Sequence, residues 1–394
     1  MALDFEFMTP TKIVFGRGSS DKIAELLKEQ NSRKTLVVYG GGSVVRSGLL
    51  ARVLAHMDAA GIGHVELGGV VPNPHLSKVY EGIELGRKEG VDFILAVGGG
   101  STIDTAKAIA YGLAYDGDVW DFYEHTKTAV SCYPVGSILT IAAAGSETSN
   151  GSVITNEKTG SKRAFDTEFG RPKFAVMDPE LTMTLPDYQT QSGATDIMMH
   201  TMERYFTCVD TLDITDSIAE GLMRTVMKHA QILHTDPDNY DSRAELMWSG
   251  SLAHNGLTGI GTDGGDWSCH QLEHEMGGMF DVAHGAGLAA LWGSWARYVW
   301  KEAPQRFVNF AVRVHGIEPS ENTEETVLKG IEAQEAFYRS IGMPTSLKEL
   351  GIAPTDAQKK EMAQRCYAAC GGPQGSVKKL DTDDMYQIYC LADH

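Results

Sequence analysis

No Cys-x-x-Cys pair occurs in this 394-residue chain, and its six cysteines (Cys132, Cys208, Cys269, Cys366, Cys370, Cys390) are scattered. That speaks against a thiolate-rich structural zinc site and fits reduced thiols. No apolar run of about 18 residues is present, so no membrane span is expected. The opening Met1-Ala-Leu-Asp-Phe-Glu-Phe has neither a basic nor an apolar signal region. A signal peptide is therefore not expected, and a cytoplasmic location is. Basic residues are in deficit: 34 Lys and Arg face 52 Asp and Glu, for a formal net charge of −18. Nucleic acid and anionic membrane are thus poor partners. Any phosphate site must be locally positive or be built from backbone N–H groups. The strict GxGxxG fingerprint, the lysine-bearing P-loop, internal repeats and low-complexity segments are also missing.

What is present begins with a core. Hydrophobic residues make up 42% of the chain, and the length predicts two or three domains. Residues 5–15 alternate loosely around Pro10 and predict a short strand pair at a sheet edge. Strand, glycines and helix then recur. Thr35–Tyr39 leads into Gly40-Gly41-Gly42-Ser43 and a helix near Leu49–Ala60. His64–Leu67 leads through the fixed turn Pro72-Asn73-Pro74 into a helix over Leu76–Glu89. Phe93–Val97 leads into Gly98-Gly99-Gly100-Ser101 and a helix to about Leu113. Val153–Asn156 and Phe174–Asp178 read as further strands, and Pro179–Pro186 as the hinge. The rhythm means βαβ units and a parallel sheet. Beyond the hinge almost everything reads as helix. The expected fold is an α/β Rossmann-like dinucleotide-binding domain over 1–186 and an all-α domain over 187–394.

The glycine clusters sit where strands meet helices. Glycine admits close backbone approach, and helix N-termini offer N–H groups to phosphate. Gly41, Gly42, Ser43, Gly99, Gly100 and Ser101 are therefore cofactor candidates, with Asn73, Thr140 and Lys162. Asp104 is expected to cap its helix or to bond a nicotinamide amide. NAD sites usually place a carboxylate on the adenosine 2′-hydroxyl. None occurs between Lys34 and Arg46, so NADP(H) is expected, its 2′-phosphate on the Gly41–Ser43 amides, the Ser43 hydroxyl and Arg46.

The helical half holds His270-Gln-Leu-Glu-His274, then Gly277-Gly278, which are expected to end the helix, then His284. Asp196-Ile-Met-Met-His200 is a second i, i+4 pair on one helical face. Two helices each presenting such a pair can close a nitrogen- and oxygen-rich metal site. Spacing does not choose among His270, His274 and His284. Cys269 is offset by one residue and should point away. Trp120, Phe122 and Trp267 either line an apolar pocket or pack in cores.

Several motifs together resemble the iron-containing (group III) alcohol dehydrogenases: Phe15-Gly-Arg-Gly-Ser, Val97-Gly-Gly-Gly-Ser-Thr-Ile-Asp104, Gly145-Ser-Glu147, Asp178-Pro-Glu-Leu-Thr, Asp196-x3-His200 and His270-x3-His274-x9-His284-Gly. Tyr39-Gly-Gly-Gly-Ser43 is similar to the NADPH-dependent butanol dehydrogenase and aldehyde reductase branch. The resemblance implies the dehydroquinate synthase-like fold of that family, with a cleft between its domains, and a homodimer often joined through the first strands. It implies that Asp196, His200, His270 and His284 hold one divalent metal, iron or zinc, with cobalt and nickel also compatible. His274 then lines the nicotinamide and substrate side, as the catalytic proton carrier. Ala144 departs from the family pattern by lacking a hydroxyl. The expected reaction interconverts small primary alcohols and aldehydes. Three rivals compete: a metallopeptidase using His270-x-x-Glu273-His274, a non-redox dehydroquinate synthase-like cyclase, and a non-catalytic NADP sensor.

Overall fold

The structure is a computed structural model that describes residues 2–209 and 212–394. It divides into two compact units, Met8–Thr184 and Leu185–His394, the second joined by residues 2–7.

In the first unit the strands are β1 (Lys12–Phe15), β2 (Lys34–Gly40), β3 (Gly63–Val70), β4 (Phe93–Gly98), β5 (Val135–Leu139), β6 (Gly151–Asn156), β7 (Ser161–Asp166) and β8 (Phe174–Met177). Six of them form a parallel sheet in the order β1-β8-β5-β4-β2-β3, and β6 and β7 make an antiparallel pair. The central runs Leu36-Val37-Val38 and Phe93–Val97 are wholly buried, as strands covered on both faces must be. Helices α1 (Ile23–Glu29), α2 (Ser43–Arg46) and α3 (Leu49–Ala59) precede α4 (Leu76–Glu89), α5 (Gly100–Leu113) and α6 (Trp120–Tyr123). On one face Ile23, Leu27, Val53 and Met57 pack with Val37, Leu95 and Val97. Between α4 and α5, Gly82 receives Ile109 while Gly112 receives Ile83.

Strand order fixes where a ligand belongs. From β2 the chain passes to β3 on one side, then returns to β4 on the other side of β2. The β2/β4 pair is therefore the topological switch point, outside whose carboxyl ends open α/β sheets bind ligands. Gly40–Ser43 and Gly98–Ser101 are the turns that leave those two ends.

The strand pair expected over residues 5–15 does not form. Only Lys12–Phe15 is a strand, and it pairs parallel with β8, Lys12 opposite Phe174. Upstream of Pro10, which cannot donate to a ladder, the chain runs to the helical unit instead, where the Leu3 amide donates to Gly261 O at 2.9 Å.

The second unit contains α7 (Asp187–Tyr205), α8 (Asp213–Thr235), α9 (Tyr240–His254), α10 (Ser268–Phe280), α11 (His284–Val299), α12 (Pro304–Asn309), α13 (Thr323–Ser340), α14 (Asp356–Ala369) and α15 (Thr382–Ala392). Helix α11 is buried along nearly its whole length, consistent with its Gly-Ala-Gly-Leu-Ala-Ala-Leu-Trp run. It lies against α7, and Gly285 marks the closest approach: a Cβ there would overlap the Ser192 carbonyl oxygen. A backbone carbonyl cannot swing aside as a side chain can. Gly285→Ala should therefore destabilise the protein by about 1–3 kcal/mol, the usual cost of overpacking, read as a lower urea midpoint with an unchanged slope.

Candidate functional site

Helix α7 supplies Asp196 and His200 on one face, α10 supplies His270 and His274, and His284 begins α11. Helix α10 does not end at Gly277-Gly278 as expected. It continues to Phe280 and closes on Asp281 in the left-handed region (φ 51°), whose amide donates to Gly277 O at 2.9 Å. Aspartate tolerates that conformation, so the helix needed no glycine stop.

Asp196, His270 and His284 each present one ligand atom, all within 4.8 Å of one another. Asp196 Oδ1 stands 3.4 Å from His200 Nδ1 and 3.7 Å from both His270 Nε2 and His284 Nε2. Ligands about 2.1 Å from one tetrahedral ion lie about 3.4 Å apart, so these separations suit atoms sharing a cation. Asp196 Oδ1, His200 Nδ1 and His270 Nε2 are buried and have no hydrogen-bond partner among the described residues. Orphaned polar atoms gathered around one carboxylate are costly unless something positive lies among them. The expected ligand His200 falls outside the trio whose atoms are all mutually within 4.8 Å, and reaches it only through Asp196.

The electrostatics of the two buried rings differ. Burial disfavours a His270 imidazolium, but the carboxylates of Asp196 and Glu203 outweigh it and hold the ring at about 9. His200 moves the opposite way, well below its ordinary value, chiefly through burial. A neutral imidazole with a free lone pair is what ligation needs.

Two residues orient the ligand atoms, and sequence reasoning missed that role for both. Glu203 Oε1 accepts from the His270 backbone amide at 3.1 Å and lies 3.2 Å from His270 Nδ1. Glu273 Oε2 bonds His284 Nδ1. Each puts a carboxylate on the imidazole nitrogen facing away from the shared point, the arrangement that fixes metal-binding histidines. Glu203 was findable: it falls seven residues after Asp196, two turns along the same helical face. Glu273 is fully buried and occupied with His284, so it is not placed to activate water as the metallopeptidase reading requires. His270 and His274 also have ring centroids 6.5 Å apart and nearly perpendicular planes. His274 is buried, its ring centroid 5.7 Å from that of His284. Cys269 is buried beside Glu203 and Asp266, and burial pushes its thiol up.

In the sheet unit, the expected cofactor residues collect at one edge. Gly41, Gly42 and Ser43 leave β2, Asn73 follows β3, Gly99, Gly100 and Ser101 leave β4, and Thr140 follows β5. Helix α5 has Gly99 at its N-cap and no side-chain cap, so its amides are not taken by a capping residue. The turn is tight, since a Cβ on Gly100 would lie 3.1 Å from Ala144 Cβ. Lys162 lies on β7 opposite Thr155 and is buried. The Thr155 amide donates to Pro74 O at 2.8 Å, which brings Lys162 near the Asn73 turn. Asp104 does not cap α5. It lies a turn inside and accepts from Ser146 Oγ at 2.6 Å and from the Val153 amide at 3.0 Å. Trp120 and Phe122 are core residues, packed with Tyr123, Tyr111 and Phe165. Trp267 is beside the histidines, 5.2 Å from the His270 ring.

Residues 10–179 match the model of the iron-containing alcohol dehydrogenases, and residues 190–392 match the C-terminal domain of the same family. The chain belongs to the iron-containing alcohol dehydrogenase family. Like other members of this alcohol dehydrogenase family, it interconverts alcohols and aldehydes, and the family uses a nucleotide cofactor and an iron-type metal. NADH-dependent butanol dehydrogenase A of Clostridium acetobutylicum is 40% identical over 388 residues, 98% of this chain and 99% of that one. The NADPH-dependent aldehyde reductase YqhD of Escherichia coli is 36% identical over 356 residues, 89% of each chain. A crystal structure of NADH-dependent butanol dehydrogenase A from Thermotoga maritima superposes with a TM-score of 0.96 at 40% identity, covering 100% of this chain and 99% of that one. Membership removes the peptidase and places the α/β and helical units in the expected fold.

The raised His270 value has a measurable consequence. Its ordinary value is 6.5 and its folded value about 9. In metal-free protein the stabilisation from its proton is complete below 6.5 and disappears as pH rises through about 9. Urea midpoints of metal-free protein should fall across that window, and His270→Gln should flatten the fall.

Proposed function

We propose that this enzyme is an NADP(H)-dependent aldehyde reductase of the butanol dehydrogenase kind, acting through one divalent ion, iron or zinc, held by Asp196, His200, His270 and His284. The observation that carries the reading is that Asp196, His270 and His284 bring ligand atoms within 4.8 Å of one another, with buried Asp196 Oδ1 and His270 Nε2 left without a hydrogen-bond partner and His200 Nδ1 3.4 Å from Asp196 Oδ1. When bound, the ion supplies Lewis acidity toward a carbonyl oxygen and the nicotinamide supplies hydride.

The chain's own residues do the rest. Glu203 and Glu273 hold His270 and His284 in one tautomer and plane. The His274 ring nitrogen carries a proton to or from the substrate oxygen, a role that suits an imidazole. The Gly99–Ser101 amides at the start of α5 receive pyrophosphate. Asn73, Thr140 and Lys162 contact the cofactor along the same sheet edge, and Asp104 acts at one remove by fixing the 146–153 segment.

The preference for NADP(H) draws support from the β2 turn. Gly42 has φ 130° and its Cβ position lies 3.0 Å from Arg46 Nη1, so a guanidinium stands beside the turn that would receive a 2′-phosphate. The nearby carboxylate, Glu66, lies on β3 and accepts from the Tyr39 hydroxyl at 3.2 Å. A homodimer is part of the proposal. It is supported by β1, the last strand of the sheet, where Phe15 is 43% exposed.

Metal-loaded protein should oxidise NADPH, followed at 340 nm, when butyraldehyde is added. His270→Ala should lose bound metal and turnover together, whereas His274→Ala should keep the metal and slow turnover about a hundredfold. Full metal content in His270→Ala would defeat the ligand assignment. Arg46→Ala should raise KM for NADPH and leave that for NADH unchanged. A clear preference of the parent enzyme for NADH would overturn the cofactor assignment alone.

A further inference from the structure

Two of the three proposed histidine ligands lean on carboxylates, and the third does not. His270 has Glu203 and His284 has Glu273. Among the described residues, no carboxylate hydrogen-bonds the His200 ring; Asp196 faces it at 3.4 Å across the proposed metal position. Something else must fix that ring. Its face is met by His254, at the end of α9, with ring centroids 4.0 Å apart and planes at 52°.

His254 is itself held. Arg204 Nη2 lies 3.2 Å from His254 Nδ1. A guanidinium only donates, so Nδ1 must be the acceptor and the His254 proton sits on Nε2. Arg204 Nη1 also donates to the backbone carbonyls of His200 at 3.0 Å and Ala253 at 3.1 Å. One planar fork thus grips the two helices that bring the rings together, a geometry lysine cannot reproduce. Trp267 closes the arrangement. The Arg204 guanidinium lies 4.5 Å from the centre of its ring, and the indole N–H donates to Gly264 O at 2.6 Å. Trp267 adopts φ 61°, a strained backbone for a bulky side chain that persists only where its surroundings impose it.

We propose that Arg204 is a positioning residue for the metal centre: it locks His254 as the neutral Nε2–H tautomer against His200 and so sets the plane of the one histidine ligand that lacks a carboxylate. The proposal rests on the ligand set above. It also gives the centre an uneven second layer. His270 and His284 each meet a carboxylate, whereas His200 meets the His254 ring that Arg204 holds.

The test uses the full-length protein loaded with Co(II), whose ligand-field spectrum reports geometry at the ion independently of turnover. Arg204→Met should shift that spectrum and weaken metal affinity by about tenfold to a hundredfold, the usual effect of losing an orienting partner. Arg204→Lys should restore part of the affinity and not the spectrum. His254→Ala should act in the same direction, and the double variant should lose no more than the worse single one, because both changes cut one chain of contacts. An Arg204→Met protein that melts as the parent does, with an unchanged spectrum and affinity within twofold, would overturn the proposal. So would strictly additive losses, which would mean that Arg204 does not act through His254. His270→Ala in the same assay separates the two readings. If it loses Co(II) while Arg204→Met does not, the ligand set stands and the relay falls; if it keeps Co(II), both fall.

Discussion

A carboxylate oxygen shut away from water, with no hydrogen bond donated to it, governs the helical unit. Asp196 Oδ1 faces three imidazole nitrogens at 3.4–3.7 Å, too far to hydrogen-bond and close enough to share an ion. Burying such an atom costs free energy that a hydrogen bond or a cation must offset. Three helices meet there: α7 contributes a charged face inside a buried helix, α10 turns two histidines inward, and α11 starts on His284. Gly285 allows α11 to approach α7 closely enough. Glu203 and Glu273 are buried for the same reason. Each places one carboxylate oxygen on the imidazole it orients, so negative charge accumulates around Asp196, where a cation would offset it.

Much of this was legible in the residues. Short apolar runs followed by glycines gave β2, β3 and β4 and the helices between them, because buried parallel strands and tight glycine turns leave few alternatives. The i, i+4 pairs pointed to a shared ion, and the family motifs singled out His284 over His274. What escaped depended on distant neighbours. Asp104 looks like a helix cap from its position near a helix start, yet its partners Ser146 and Val153 lie over forty residues away. Trp120 and Phe122 have the composition of a pocket wall, and only the packing of Tyr123 on Trp120 and of Tyr111 and Phe165 on Phe122 makes them core. Of the residues around the histidines, Glu203 could be placed by its spacing from Asp196, whereas Arg204 depends on His254, 50 residues away.

The two candidate groups of residues differ in how they are made. The proposed cofactor residues lie in loops at the carboxyl ends of the strands, where backbone amides and glycines dominate. The proposed metal ligands lie on helices, and two of them, His270 and His284, are held by carboxylates. Substitutions near Gly41–Ser43 are therefore expected to retune nucleotide choice with little effect on folding, while those around Asp196 disturb both.

Residues 2–7 belong with the helical unit even though 177 residues of the sheet unit intervene, and Leu3 hydrogen-bonds Gly261. During synthesis the sheet unit is complete as soon as residue 184 has left the ribosome. The leading peptide, by contrast, must wait for the segment near Gly261 to emerge. The order in which the two units can mature on the ribosome is thereby set by connectivity alone, and trimming the first residues would strip contacts from the later-born half.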